Sequence, residues 1–380
     1  MKKRLAVLSV SFTVLIYMVI TVAVAGLTAA FPDVSEDTLL LAVTLPNLTC
    51  IPAILATPLL LRRLSQKAVT VGGLALTLLG GGLCLLFPGS LAVLLGAAAL
   101  MGFAYGVGST MYPLLVNSHF SGQERVSLMG YCSGALQLGR LTATLIGGFL
   151  ADLRWNYIYF TFVFVLAALV ISLLWLPGGG RSSSVQAWGG SDVSSLKNGA
   201  VWRLGGLSVL FAVVYFLSST HASLYIEGYQ LGTASVTGTL SSLTLILSVG
   251  IACFYGRLPQ KMRDATPIVV FAVMAAGYLL AGLVVSLPTI TAALVGAAAG
   301  IALFNPWFML QVNTAAGQAS APVATSMVLT MINIGYFISP YLSGALSALI
   351  GGGVSSMFLL MGGLSLILSG ALFFRSVRRR

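Results

Sequence analysis

The sequence predicts an all-α membrane protein whose twelve transmembrane helices form two pseudo-symmetric six-helix bundles. Three observations carry that expectation. The 380 residues are 58% hydrophobic and only 7% charged, with a mean hydropathy of +1.01, whereas soluble proteins carry roughly 25% charged residues. Apolar runs repeatedly reach the ~20 residues needed to cross a hydrocarbon core of roughly 30 Å. Charge also alternates from loop to loop along the chain. This pattern excludes a water-soluble enzyme and a disordered chain. It excludes a nucleic-acid-binding protein too, despite the net charge of +11, because the basic residues stand in short clusters between apolar runs.

The elements follow in order. Span one covers about 6–30, behind Lys2, Lys3 and Arg4, and leads to Asp33, Glu36 and Asp37. A cleaved signal peptide would also begin this way, but the apolar run is too long for a signal core. Span two (38–61) ends at Arg62, Arg63 and Lys67; spans three (68–88) and four (91–116) precede His119 and Arg125. Span five (126–150) exits at Asp152 and Arg154, and span six (157–176) runs into the segment 177–202. That segment is Gly/Ser-rich, the composition of a flexible linker. Spans seven (203–226), eight (236–256) and nine (266–287) follow, with Glu227 after the first and Arg257, Lys261 and Arg263 after the second. Spans ten (290–313), eleven (322–348) and twelve (354–374) complete the set before Arg375, Arg378, Arg379 and Arg380.

Of the 19 basic residues, all but Arg140 and Arg154 fall on one side of this scheme. The positive-inside rule makes that side cytoplasmic, with both termini inside. Short loops and bare tails point to a bacterial cytoplasmic (inner) membrane. Cys50, Cys84, Cys132 and Cys253 lie in four different spans without metal or redox spacing, so they read as packed thiols. No metal and no cofactor is expected.

The expected domains are 1–176, a linker 177–202, and 203–380. An offset of 196, the difference between Gln137 and Asn333, also lays Val116-Asn117-Ser118 on Val312-Asn313-Thr314. It lays Gly139 on Gly335, Arg140 on Tyr336 and Gly148 on Gly344. Repeats of this kind place a substrate site at the repeat interface near the bilayer midplane.

Span five reads Gly130-x8-Gly139-x3-Ala143-Thr144-x2-Gly147-Gly148 and exits through Asp152-Leu153-Arg154-Trp155; span seven ends Leu224-Tyr225-Ile226-Glu227. These stretches resemble the major facilitator superfamily, the first of them the motif of its antiporters, with Ala143-Thr144 where Gly-Pro would stand. The resemblance implies secondary transport by alternating access and gating roles for Gly139, Gly147 and Gly148. Between spans two and three the family's basic residues correspond to Arg62, Arg63 and Lys67, again a gating site. The family's Asp and Gly positions there hold Leu61 and Leu64, and its buried span-four Arg falls on Leu100. Neither role carries over.

Ionisable residues inside a membrane are expensive and therefore informative. Arg140 lies about 22 Å along the helix from Arg125 and about 18 Å from Asp152, near mid-membrane. Arginine stays charged and can fork onto a carboxylate, and no other span has an Asp or Glu near its middle. A substrate anion is the expected partner; a structural strut held by carbonyls, water, Gln137 or Asn333 is the alternative. His221 and Glu227 are candidates for proton coupling, as is Asp33, although a separation of six residues keeps the first two off one helical face. A hydrogen-bonded histidine near the outer surface and a solvated interfacial carboxylate are the blander readings. The superfamily's site-lining spans imply further substrate contacts from Tyr17, Tyr105, Tyr112, Tyr215, Asn305, Trp307, Gln311 and Tyr336.

The expected function is a transporter for a small organic anion, by proton symport or anion exchange. Arg140 would clamp the acid, Gln137 and Asn333 would orient it, and the aromatics would pack its apolar part. The expected partners are that substrate, protons or a counter-anion, and the bilayer, with the chain a monomer. A proton-coupled multidrug exporter of neutral or lipophilic compounds is the first rival. A non-transporting sensor on the same fold is the second, and no signalling appendage supports it. An intramembrane enzyme is not expected, because no nucleophile–base or metal cluster appears.

Overall fold

A computed structural model describes residues 2–177, 198–255, 262, 265–316, 321–348 and 352–377. Most of the linker, together with Arg181, Lys197, Arg257, Lys261 and Arg263, lies outside the described residues. Every regular element among the described residues is helical. The bilayer dictates this, because lipid offers the backbone no hydrogen bonds and each span must satisfy its own.

Span one is made of three pieces: Lys2–Thr13, a 3-10 stretch Ile16–Val22, and Val24–Ala30. Spans two to five are Glu36–Arg63, Gln66–Leu86, Leu91–His119 and Gly122–Leu153. Span six begins as a 3-10 stretch, Trp155–Phe162, and continues as Val163–Trp175. Spans seven to nine are Gly199–Gly228, Ala234–Tyr255 and Thr266–Leu283. Spans ten to twelve are Leu287–Ala316, Ala321–Ala348 and Val354–Val377. Ten of the twelve combine the length and the hydropathy of a membrane span. The others, spans five and eleven, have 32 and 28 residues, ample for a crossing at 1.5 Å per residue. Polar residues such as Gln137, Arg140 and Asn333 dilute their apolar character.

Helix starts carry the side chains that such ends require. Ser65 Oγ accepts from the Ala68 N–H at 3.1 Å and Asn198 Oδ1 from the Ala200 N–H at 2.9 Å, each satisfying a donor with no intrahelical partner. Glu36 and Asp37 occupy the first turn of span two, and Arg62 and Arg63 its last. Both placements complement the helix dipole.

The chain divides into two compact units, Met1–Gly190 and Ser191–Arg380. In the first, span four packs on spans two and three, span one on five and six, and span three on six. In the second, span ten packs on eight and nine, span seven on eleven and twelve, and span nine on twelve. Adding six to each span number converts one pattern into the other.

The close crossings repeat as well. A Cβ on Gly139 would fall on the Phe12 carbonyl oxygen, where spans one and five touch. At the equivalent crossing of spans seven and eleven, a Cβ on Gly335 would lie 2.9 Å from Val209 O and 2.7 Å from Ala212 Cβ. Gly80 stands 3.1 Å, by the same measure, from Ala97 O, and Gly277 stands 2.9 Å from Ala293 Cα. Small residues allow this approach where no hydrophobic force drives helices together. The repeat is broken in one respect, since span seven is one continuous helix where span one is interrupted twice.

Cys50, Cys84 and Cys132 are free and buried, as packed thiols should be. The side chain of Cys253 lies outside the described residues.

Candidate functional site

In the first unit, Arg140 projects from the middle of span five, whose backbone Thr144 braces by donating to the Arg140 carbonyl at 3.0 Å. Its Nε is buried and has no hydrogen-bond partner. The residue as a whole is partly exposed. No ion pair forms with it among the described residues, and the Tyr105 hydroxyl lies within electrostatic reach.

Tyr105 leads to the rest of the cluster. Its ring packs on Tyr17 at 4.9 Å between centroids, and both rings border a small cavity with Thr13, Thr70 and Thr77 between spans one, three and four. Tyr17 sits on the 3-10 stretch of span one and donates a long hydrogen bond, 3.4 Å, to Asn47 Oδ1 of span two. Asn47 is 2% exposed, and its Nδ2 is a second buried donor without a partner. Sequence reasoning missed Asn47. The signal was present, an amide in mid-span between Pro46 and Leu48, but the expected lining followed spans one, four, seven and ten. Gln137 and Tyr112 are half-buried, without a side-chain hydrogen bond among the described residues.

In the second unit, aromatic rings form a chain. Tyr336 packs on Phe216 at 4.9 Å and on Tyr215 at 6.1 Å. Tyr215 stacks on Phe211, Phe211 on Phe304 at 3.9 Å, and Phe304 meets Trp307 at 5.7 Å. Tyr215, Trp307 and Tyr336 thus belong to one aromatic array. Asn333 is 6% exposed; its Nδ2 donates to Leu329 O at 2.9 Å, which leaves Oδ1 buried and unpartnered. Gln311 is half-buried and Asn305 exposed.

His221 is fully buried. Its Nδ1 meets Thr220 Oγ1 at 2.8 Å and its Nε2 has no partner. Glu227, a half-buried residue near the end of span seven, accepts from Ser223 Oγ at 2.6 Å. Asp33 is exposed in the turn after span one.

The residues expected to gate are distributed over the first unit. Arg62 and Arg63 are exposed, whereas Lys67 Nζ donates to Leu173 O at 2.6 Å, closing the carbonyl end of span six. A Cβ on Gly147 would strike Val19 Cγ2, so Gly139 and Gly147 seat span five on both sides of the first break in span one. Gly148 is buried.

The profile of the Major Facilitator Superfamily matches residues 6–340. The chain belongs to that superfamily. It is an integral membrane protein and a secondary transporter. No curated protein matches it significantly. Among solved structures, a peptide transporter POT in complex with sulfate aligns at TM-score 0.79 and 13% identity, covering 99% of this chain and 94% of that one. A POT family transporter in complex with 5-aminolevulinic acid aligns at TM-score 0.75 and 14% identity, covering 98% and 96%. A mutant of the nucleoside transporter NupG aligns at TM-score 0.74 and 14% identity, covering 98% and 99%. These likenesses establish the fold, that of the major facilitators.

Proposed function

We propose that this transporter carries a small organic anion, a carboxylate with an apolar portion, across the bacterial cytoplasmic membrane, with both termini on the cytoplasmic side. The observation that carries the reading is the buried, unpartnered Nε of Arg140 at mid-span. A cation held in a low-dielectric region without a counterion costs free energy. An anion that relieves this cost binds preferentially to the state that encloses it, and such differential affinity is what drives a conformational equilibrium. Asn47 Nδ2 offers a second unused donor. Within the first unit, Gln137 orients the ligand, and the Tyr17–Tyr105 pair supplies an apolar wall of the kind small-molecule sites use.

Sulfate and 5-aminolevulinic acid, named with two of the solved neighbours, each offer an anionic oxygen group, the second as a carboxylate that also carries an amine, and support this chemistry. Coupling is by proton symport or by exchange for another anion. For symport the proton acceptors are His221, whose Nε2 is unused, and Glu227. The second reading, proton-coupled efflux of neutral or lipophilic compounds, is favoured by the glycine crossings of span five.

Thermal shifts of the purified protein separate the two, with wild type and Arg140→Gln tested against matched carboxylates, their amides and lipophilic cations. A carboxylate at 100 times its Kd stabilises wild type by about 2.7 kcal/mol, and the mutant loses that effect. Equal stabilisation of both proteins by amides or cations would overturn the anion site and leave efflux as the function.

A further inference from the structure

The first unit carries an open groove that the transport site does not use. Leu8 and Phe12 of span one floor it, Gly130 and Gly134 of span five form one wall, and Phe164 and Ile171 of span six form the other. The groove exists because two glycines stand where side chains would fill it: a Cβ on Gly130 or Gly134 would meet nothing within 4 Å. From Gly130 to Leu138 it runs about 12 Å along span five, most of one ~15 Å leaflet. Phe12 and Phe164 meet edge to face at its deep end, 5.7 Å between centroids.

At the other end the groove joins a polar niche through Tyr131, which lines both. The niche holds Arg4 and Glu124, paired at 2.7 Å, with side chains 58% and 44% exposed. The pairing is lopsided. Arg4 Nε (2.8 Å) and Nη2 both bond to Glu124 Oε1, which leaves Arg4 Nη1 and Glu124 Oε2 without protein partners. A cationic donor and an anionic acceptor therefore stand side by side, both substantially exposed, where spans one and five begin.

We propose that this groove and niche form a binding site for a zwitterionic phospholipid with a primary-amine headgroup, phosphatidylethanolamine, in the leaflet on the side of Lys2 and Lys3. One acyl chain lies along Gly130, Gly134 and Leu138. The phosphate accepts from Arg4 Nη1 and the ammonium donates to Glu124 Oε2. The headgroup, not the chain, sets the choice, because an acyl chain gains nothing by leaving one apolar surface for another. A trimethylated amine has no N–H to donate, and an anionic headgroup without an amine places only negative charge beside Glu124.

Native mass spectrometry of the full chain tests this, after extraction from nanodiscs of equal parts phosphatidylethanolamine, phosphatidylcholine and phosphatidylglycerol. Loss of one charge-assisted hydrogen bond predicts about tenfold weaker retention of phosphatidylcholine than of phosphatidylethanolamine. Glu124→Gln, which keeps the shape and removes the charge, abolishes that preference. Gly134→Leu, which fills open space and leaves the fold intact, lowers retention of all three lipids. Equal retention of the amine and its trimethylated form, an unchanged preference in Glu124→Gln, or undiminished lipid in Gly134→Leu would each overturn the site.

Discussion

Three glycine-to-alanine substitutions measure the helix crossings against one another. At Gly134 the added methyl meets nothing within 4 Å, so only helix propensity acts, and alanine gains about 1 kcal/mol over glycine. At Gly335 the methyl arrives 2.7 Å from Ala212 Cβ and 2.9 Å from Val209 O. Overpacking of this kind costs about 1–3 kcal/mol, and after the propensity gain about 0–2 kcal/mol of loss remains. At Gly139 the methyl lands on the Phe12 carbonyl oxygen. No rotamer can relieve a clash with backbone, so span one must move bodily. The loss therefore reaches at least the top of that range, about 2 kcal/mol or more net.

Thermal unfolding of the detergent-purified variants reads this as an order of melting temperatures: Gly134→Ala at or above wild type, Gly335→Ala below it, Gly139→Ala lowest. An order serves better than free energies, because membrane proteins seldom unfold reversibly. If Gly139→Ala melted with Gly134→Ala, spans one and five would not cross backbone to backbone. The repeat relation between Gly139 and Gly335 would then lose its structural meaning.

Other substitutions have outcomes of different kinds. Tyr278→Phe removes a fully buried hydrogen bond to Val214 O at 3.0 Å, and melting should report a loss of about 1 kcal/mol. Asn47→Leu removes the acceptor of the buried Tyr17 hydroxyl, and melting should report a loss of about 1 kcal/mol. The same variant should lose ligand-induced stabilisation, and unchanged ligand shifts would remove Asn47 from the site. Arg4→Gln breaks an exposed ion pair worth about 0–1 kcal/mol, so its melting temperature should stay close to that of wild type even as retention of the phospholipids falls.

Much of the architecture was legible in one dimension. In a bilayer, hydropathy itself marks each span, and the glycine and amide positions at an offset of 196 foreshadow crossings such as Gly139 on Phe12 and Gly335 on Val209. The candidate site was legible only in part. Arg140 stood out because a charge in mid-span is rare. Nothing along the chain said that its Nε would lack a partner, since that depends on how the neighbouring spans pack around it. His221 shows the same gap, because its burial is a matter of which faces meet.

Composition and charge alone determined that this chain lies in a membrane as two halves of six spans, because both are set by solvent and need no knowledge of contacts. Tertiary structure decided the rest. It placed the 3-10 stretches in spans one and six, tied Tyr17 to Asn47, spent Lys67 on the end of span six, and opened the groove at Gly130 and Gly134. The physical reason is that an apolar helix in lipid has little polar-to-apolar periodicity to betray its packed face. Which side of each span meets protein is settled by shape and by a few hydrogen bonds, and these exist only once the helices are assembled.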